Sequence, residues 1–155
     1  MIAFAAAFLA CLVYVFATGG KPERLAMLAQ SVALLLSLVA ISFRVIPSKG
    51  LPVGLALVDL ALAVALSLLA LRANRYWTIV LAGMQVAPLF AHAARLLAFP
   101  LPAAGYVIFV QLWAWPMLAV TAAGARNHRA RVRKFGEEQD WKPFWPHLNQ
   151  VEFTV

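Results

Sequence analysis

LPVGLALVDLALAVALSLLAL, from Leu51 to Leu71, decides the fold. A bilayer core needs about 20 apolar residues in a helix, and this run supplies them with Asp59 as its sole charge. Four further stretches meet or approach that length: Ile2 to Thr18, Leu25 to Ile46, Trp77 to Phe99 and Leu101 to Ala123. Their separators read as turns, Gly19-Gly20-Lys21-Pro22-Glu23-Arg24, Pro47-Ser48-Lys49-Gly50, Arg72-Ala73-Asn74-Arg75, and Pro100 with Pro102. Short loops make sequence neighbours antiparallel and adjacent, so the expected fold is an all-α membrane protein, about five transmembrane helices in an up-and-down bundle.

Composition agrees. Of 155 residues, 64% are hydrophobic and 12% charged, too few to cover a water-soluble surface. The net charge of +7 falls at segment junctions and in one cluster, Arg126, Arg129, Arg131, Arg133 and Lys134. That placement matches the basic margin of a membrane protein and speaks against a nucleic-acid partner, since no base-reading motif accompanies it. We expect the cluster to contact anionic lipid.

Lys21 and Arg24, Arg72 and Arg75, and the basic cluster all fall on one side when segments alternate. The positive-inside rule makes that side cytoplasmic, with the N-terminus out and the C-terminus in. The first segment lacks a positive n-region and a small-x-small cleavage site, so it is expected to be a retained helix. The Pro100 turn is tight enough that the last two segments form either two spans or a re-entrant pair. Two regions result, a transmembrane domain over 1–125 and a tail over 126–155 that is first basic, then aromatic and proline-rich. In the tail Trp141, Phe144, Trp145 and Phe153 are candidate docking residues for a partner, and 150–155 alternates as an added strand would.

Polar groups inside a bilayer are costly, which makes each a candidate for function. Asp59 and His92 lie at similar depth on antiparallel neighbours, about 12 Å from the outer end at 1.5 Å per residue for Asp59. Gln85, His92 and Arg95 share one face of segment four around Pro88, and Gln111 comes from the same half of segment five. An Asp59–Arg95 charge pair completed by His92 and the glutamines is the expected arrangement. Gly83, Ala87 and Ala91 form a small-xxx-small row on another face, suited to close helix approach. Trp113 and Trp115 lie too deep for an interfacial belt and are expected to pack on a neighbouring helix or an apolar ligand, whereas Tyr76 and Trp77 fit the belt.

Cys11 is the only cysteine, so no thiolate metal site or disulfide framework exists. His92 is the one intramembrane histidine, which leaves axial ligation of a haem or pigment open but supplies no bis-histidine site, and no metal site is expected. Phosphate loops, HExxH, paired cysteines and nucleophile elbows are absent from the sequence, and no enzyme is expected.

The block LRANRYW, Leu71 to Trp77, continuing through Gly83-Met84-Gln85 to Ala91-His92-Ala93-Ala94-Arg95-Leu96, resembles one in small multi-spanning inner-membrane proteins of bacteria. The resemblance implies a bacterial inner-membrane setting and no particular mechanism. The residues therefore favour an accessory or assembly subunit of a larger membrane complex, respiratory or photosynthetic. A small proton-coupled carrier using Asp59, His92 and Arg95 and a pigment- or haem-binding subunit are the alternatives.

Overall fold

A computed structural model describes residues 2–42, 53–97, 102–136 and 140–141. Among the described residues six helices follow in order: α1 (Ile2–Thr18), α2 (Lys21–Ser42), α3 (Val53–Arg72), α4 (Tyr76–Leu96), α5 (Ala103–Leu112) and α6 (Ala114–Phe135). The chain is an all-helical, multi-pass membrane protein. α2, α3, α4 and the stretch Gly105–Phe135 are each long and apolar enough to cross a bilayer, and α1 is a shorter apolar helix.

Only 17–33% of each spanning window is buried inside the bundle, so most apolar side chains point outward. In water that surface would drive aggregation; in lipid it is the solvated face. Leu35, Leu57 and Phe90, for example, are exposed.

Proline and glycine set the element boundaries. Pro22 lies in the first turn of α2, where its missing N–H costs no helical bond. Pro88 lies inside α4, which runs unbroken through it. Pro116 acts differently. It cannot donate to the Leu112 carbonyl, and the ladder is interrupted at Trp113, whose φ of −66° and ψ of −22° keep the backbone heading forward. α5 and α6 thus form one path with a joint at Trp113.

Helix α6 carries the basic cluster, placed by the sequence reading at the head of the tail. Arginine and lysine are good helix formers, and α6 stops only past Phe135, at Gly136 with φ +82°.

The helices close into a ring in which α3 packs on α2 and α4, while α6 touches α1, α2 and α4. One buried cluster joins Ala26, Leu62, Leu66, Leu81 and Met117; a second joins Phe8, Cys11, Val15, Met27, Leu118 and Ala125. Because lipid is as apolar as leucine, these clusters cohere by close packing and dispersion more than by a hydrophobic effect. Interhelical hydrogen bonds add to it, such as Gln30 Nε2 to Thr121 Oγ1 at 2.9 Å between α2 and α6. The Gly19–Gly20 and Ala73–Arg75 turns and the basic part of α6 share one end of the bundle, called the basic end below; the end of α4 and the start of α5 lie toward the far end.

Candidate functional site

Asp59 comes from the first two turns of α3, and His92 from the last two of α4. Their antiparallel packing brings His92 Nε2 to 2.8 Å from Asp59 Oδ2. Gln85, two turns before His92 on the same face of α4, donates from Nε2 to Asp59 Oδ1 at 3.0 Å and approaches the Asp59 carbonyl at 3.3 Å. The other ring nitrogen of His92, Nδ1, lies 2.7 Å from the Tyr106 hydroxyl of α5. With the proton on Nε2, every bond in the row points one way: Tyr106 donates to His92, and His92 donates to Asp59.

Arg95 joins through the aromatic ring. Its Cζ stands 4.7 Å from the Tyr106 centroid, the distance of a cation–π contact. The Tyr106 ring also meets His92 edge-on at 5.7 Å and 71°. Among the described residues the basic side chain that meets the Asp59 carboxylate is His92, through a hydrogen bond, not Arg95 as the sequence suggested. A basic nitrogen already at hydrogen-bond distance takes the carboxylate, and the longer arginine side chain reaches past it to the ring.

Gln111 is exposed on α5 and outside this cluster. Tyr106, missing from the sequence reading, replaces it. A signal existed: His92 and Tyr106 are equally spaced about Phe99, so a hairpin centred there sets them opposite one another.

Both ring nitrogens of His92 are engaged, so axial ligation of a haem or pigment would require one of these bonds to break. The arrangement holds three helices together, and a proton could pass along it from hydroxyl to imidazole to carboxylate. Asp59 remains 19% exposed in its side chain, against 5% for His92, so the aspartate end is the open one.

A second buried polar cluster occupies the basic end. Glu23 is fully buried in the first turn of α2. Its Oε1 accepts from Trp77 Nε1 at 3.2 Å and lies 3.8 Å from Arg75 Nε. Arg75 also donates to Asp140 Oδ1 at 3.2 Å. Trp77, read as a belt residue, is turned inward, with its ring so close on Gly124 that a methyl group there would meet it at 2.8 Å. The sequence reading took Arg75 as a topological charge and Glu23 as part of a turn. Opposite charges in two turns on the same side were the available clue.

Of the proposed docking aromatics, Trp141 folds back on its own bundle. It forms an antiparallel bridge with Ala73 and packs against the Leu66 cluster, at one end of an apolar groove of about 510 Å³ between α2 and α3. Phe144, Trp145 and Phe153 lie outside the described residues, as does the alternating 150–155 segment. Arg126, Arg129, Arg133 and Lys134 are exposed on α6, and Arg131 is half-buried. Gly83 is exposed with nothing within 4 Å of where a side chain would begin, Ala87 is half-buried and Ala91 buried, so the small-residue row meets a helix at one end only.

Comparison with protein-family models, curated proteins and solved structures returned no match. The functional reading therefore rests on the chemistry of these sites.

Proposed function

We propose that this chain is a non-catalytic accessory or assembly subunit of a larger membrane protein complex, in the inner membrane of a bacterium, with its basic end in the cytoplasm. One observation carries the reading: the Asp59–His92–Tyr106 row ties three helices together by short hydrogen bonds, the work of a fastener. A bundle fastened from within, with an apolar exterior, presents a rigid surface for other spans. The exposed arginines and Lys134 of α6 anchor it to anionic lipid at about 1 kcal/mol each near the surface. Respiratory and photosynthetic assemblies are the complexes that such a subunit would join.

Extraction in a mild detergent followed by mass spectrometry of the intact assembly tests this. The expected result is a defined complex with other membrane proteins, and a lone monomer would count heavily against it.

A second reading has a specific observation in its favour. The one-way hydrogen-bond row, open at Asp59, suits a proton-coupled carrier that loads and releases a proton there. Reconstituted vesicles would then show a flux that Asp59→Asn abolishes, and unchanged flux would remove this alternative.

A further inference from the structure

Glu23 has one carboxylate oxygen held by Trp77 and Arg75, while the other, Oε2, is buried and has no hydrogen-bond partner among the described residues. Leaving a buried acceptor bare inside a protein costs roughly 1–3 kcal/mol, which demands a reason. Two other side chains converge on the same place. His128 comes from α6 and Asp140 from the segment after it, and one donor atom from each lies within 4.8 Å of the other and of Glu23.

Gly20 keeps the point of convergence open. A Cβ at this position would stand 2.8 Å from Asp140 Oδ1, 2.9 Å from His128 Cε1 and 3.0 Å from Glu23 Oε2. Any side chain would fill the space the three groups share. The sequence gives no motif for this meeting, because its members come from the first turn of α2, the basic stretch of α6 and the segment beyond it.

We propose that Glu23, His128 and Asp140 bind a divalent transition-metal ion, with zinc the best match. One imidazole and two carboxylates are a donor set that first-row ions accept, whereas calcium and magnesium favour oxygen alone. Tetrahedral zinc at about 2.1 Å sets its donors roughly 3.4 Å apart, so the widest separation closes by at most about 1.4 Å. Closing it takes small rotations of the Asp140 and His128 side chains, both only half-buried.

The surrounding groups fit a second layer. Trp77 fixes Oε1 of Glu23 and leaves Oε2 facing the shared space, while Arg75 steadies Asp140 through Oδ1, the oxygen that borders that space, from 3.2 Å. The ion would tie the segment after α6 to the start of α2, beside the bond from Asn74 N to the Asp140 carbonyl at 3.2 Å. The site is thus a metal clasp on the C-terminal segment.

The full chain, purified in mild detergent and stripped with a chelator, is titrated with Zn²⁺ and, as a coloured probe, with Co²⁺. The expected result is about one equivalent bound, with Co²⁺ giving the visible bands of a low-coordinate nitrogen and oxygen site. His128→Ala, Glu23→Gln and Gly20→Ala should each weaken binding roughly tenfold or more. His128 is only half-buried, so its alanine variant tests the site even if the Glu23 variant fails to fold, which circular dichroism reports. His147→Ala should leave the titration unchanged. Binding far below one equivalent, or binding that survives His128→Ala and is lost with His147→Ala, overturns the proposal.

Discussion

His92 holds its place by two bonds of different kinds, one to a carboxylate and one to a phenol, and removing it leaves Asp59 facing Gln85 alone. Breaking a buried ion pair costs 3–5 kcal/mol in water-soluble cores, and interhelical bonds in membranes average nearer 0.6. With Asp59 partly exposed, His92→Leu should cost about 1–3 kcal/mol by these limits. The Asp59→Leu/His92→Leu double variant should be less destabilised than the sum of the singles, as read by unfolding in mixed micelles. Gly124→Ala is a second test at this scale. Its methyl must displace the Trp77 ring and with it the hydrogen bond to Glu23, for about 1–3 kcal/mol. Asp59, Gln85 and His92 were legible as a cluster because intramembrane polar residues are few and helix periodicity sets their faces. Tyr106 was not, since tyrosine at a helix start reads equally well as an interfacial anchor. Glu23 was hidden by its place in a turn and Asp140 by its place in the tail, where charge is ordinarily solvated.

The elements were most legible where a long apolar run ends at proline, glycine or charge, as α3 does between Pro52 and Arg72. The last segment was harder, because hydrophobicity marks where lipid ends and not where a helix ends. α6 leaves the apolar zone near Ala125 and continues to Phe135 on residues of good helical propensity. The joint at Trp113 follows from one missing N–H. Pro116→Ala restores that donor, and α5 and α6 should merge into one regular helix, raising thermal stability and slowing amide exchange at 114–117. On α4, Gly83 faces open space, so Gly83→Leu should leave the folded bundle unchanged within about 0.5 kcal/mol. If the chain is an accessory subunit that docks by this face, the same substitution should shift it from complex to monomer on native gels.

At the scale of the whole bundle, the helix that begins the chain packs on the helix that ends the described core. The α1–α6 seam holds Cys11, whose thiol reaches the Leu118 carbonyl at 3.6 Å, and Ala125, which is fully buried. Ala125→Leu overfills that seam by about 1–3 kcal/mol and should speed modification of Cys11 by a maleimide in mixed micelles, while Leu57→Ala, on an exposed face, should not. The up-and-down order follows from short loops, but this closure of first against last does not, because no local pattern pairs segments so far apart. The closure also bears on how the chain is made. A ribosome delivers α1 to the membrane long before α6 exists, and α1 is the shortest of the apolar runs that precede α5. Until α6 has been made, the face of Phe8, Cys11 and Val15 rests against lipid or an insertion factor. A stalled or shortened nascent chain would keep that face uncovered, and the cell's membrane quality control could recognise unfinished copies by it.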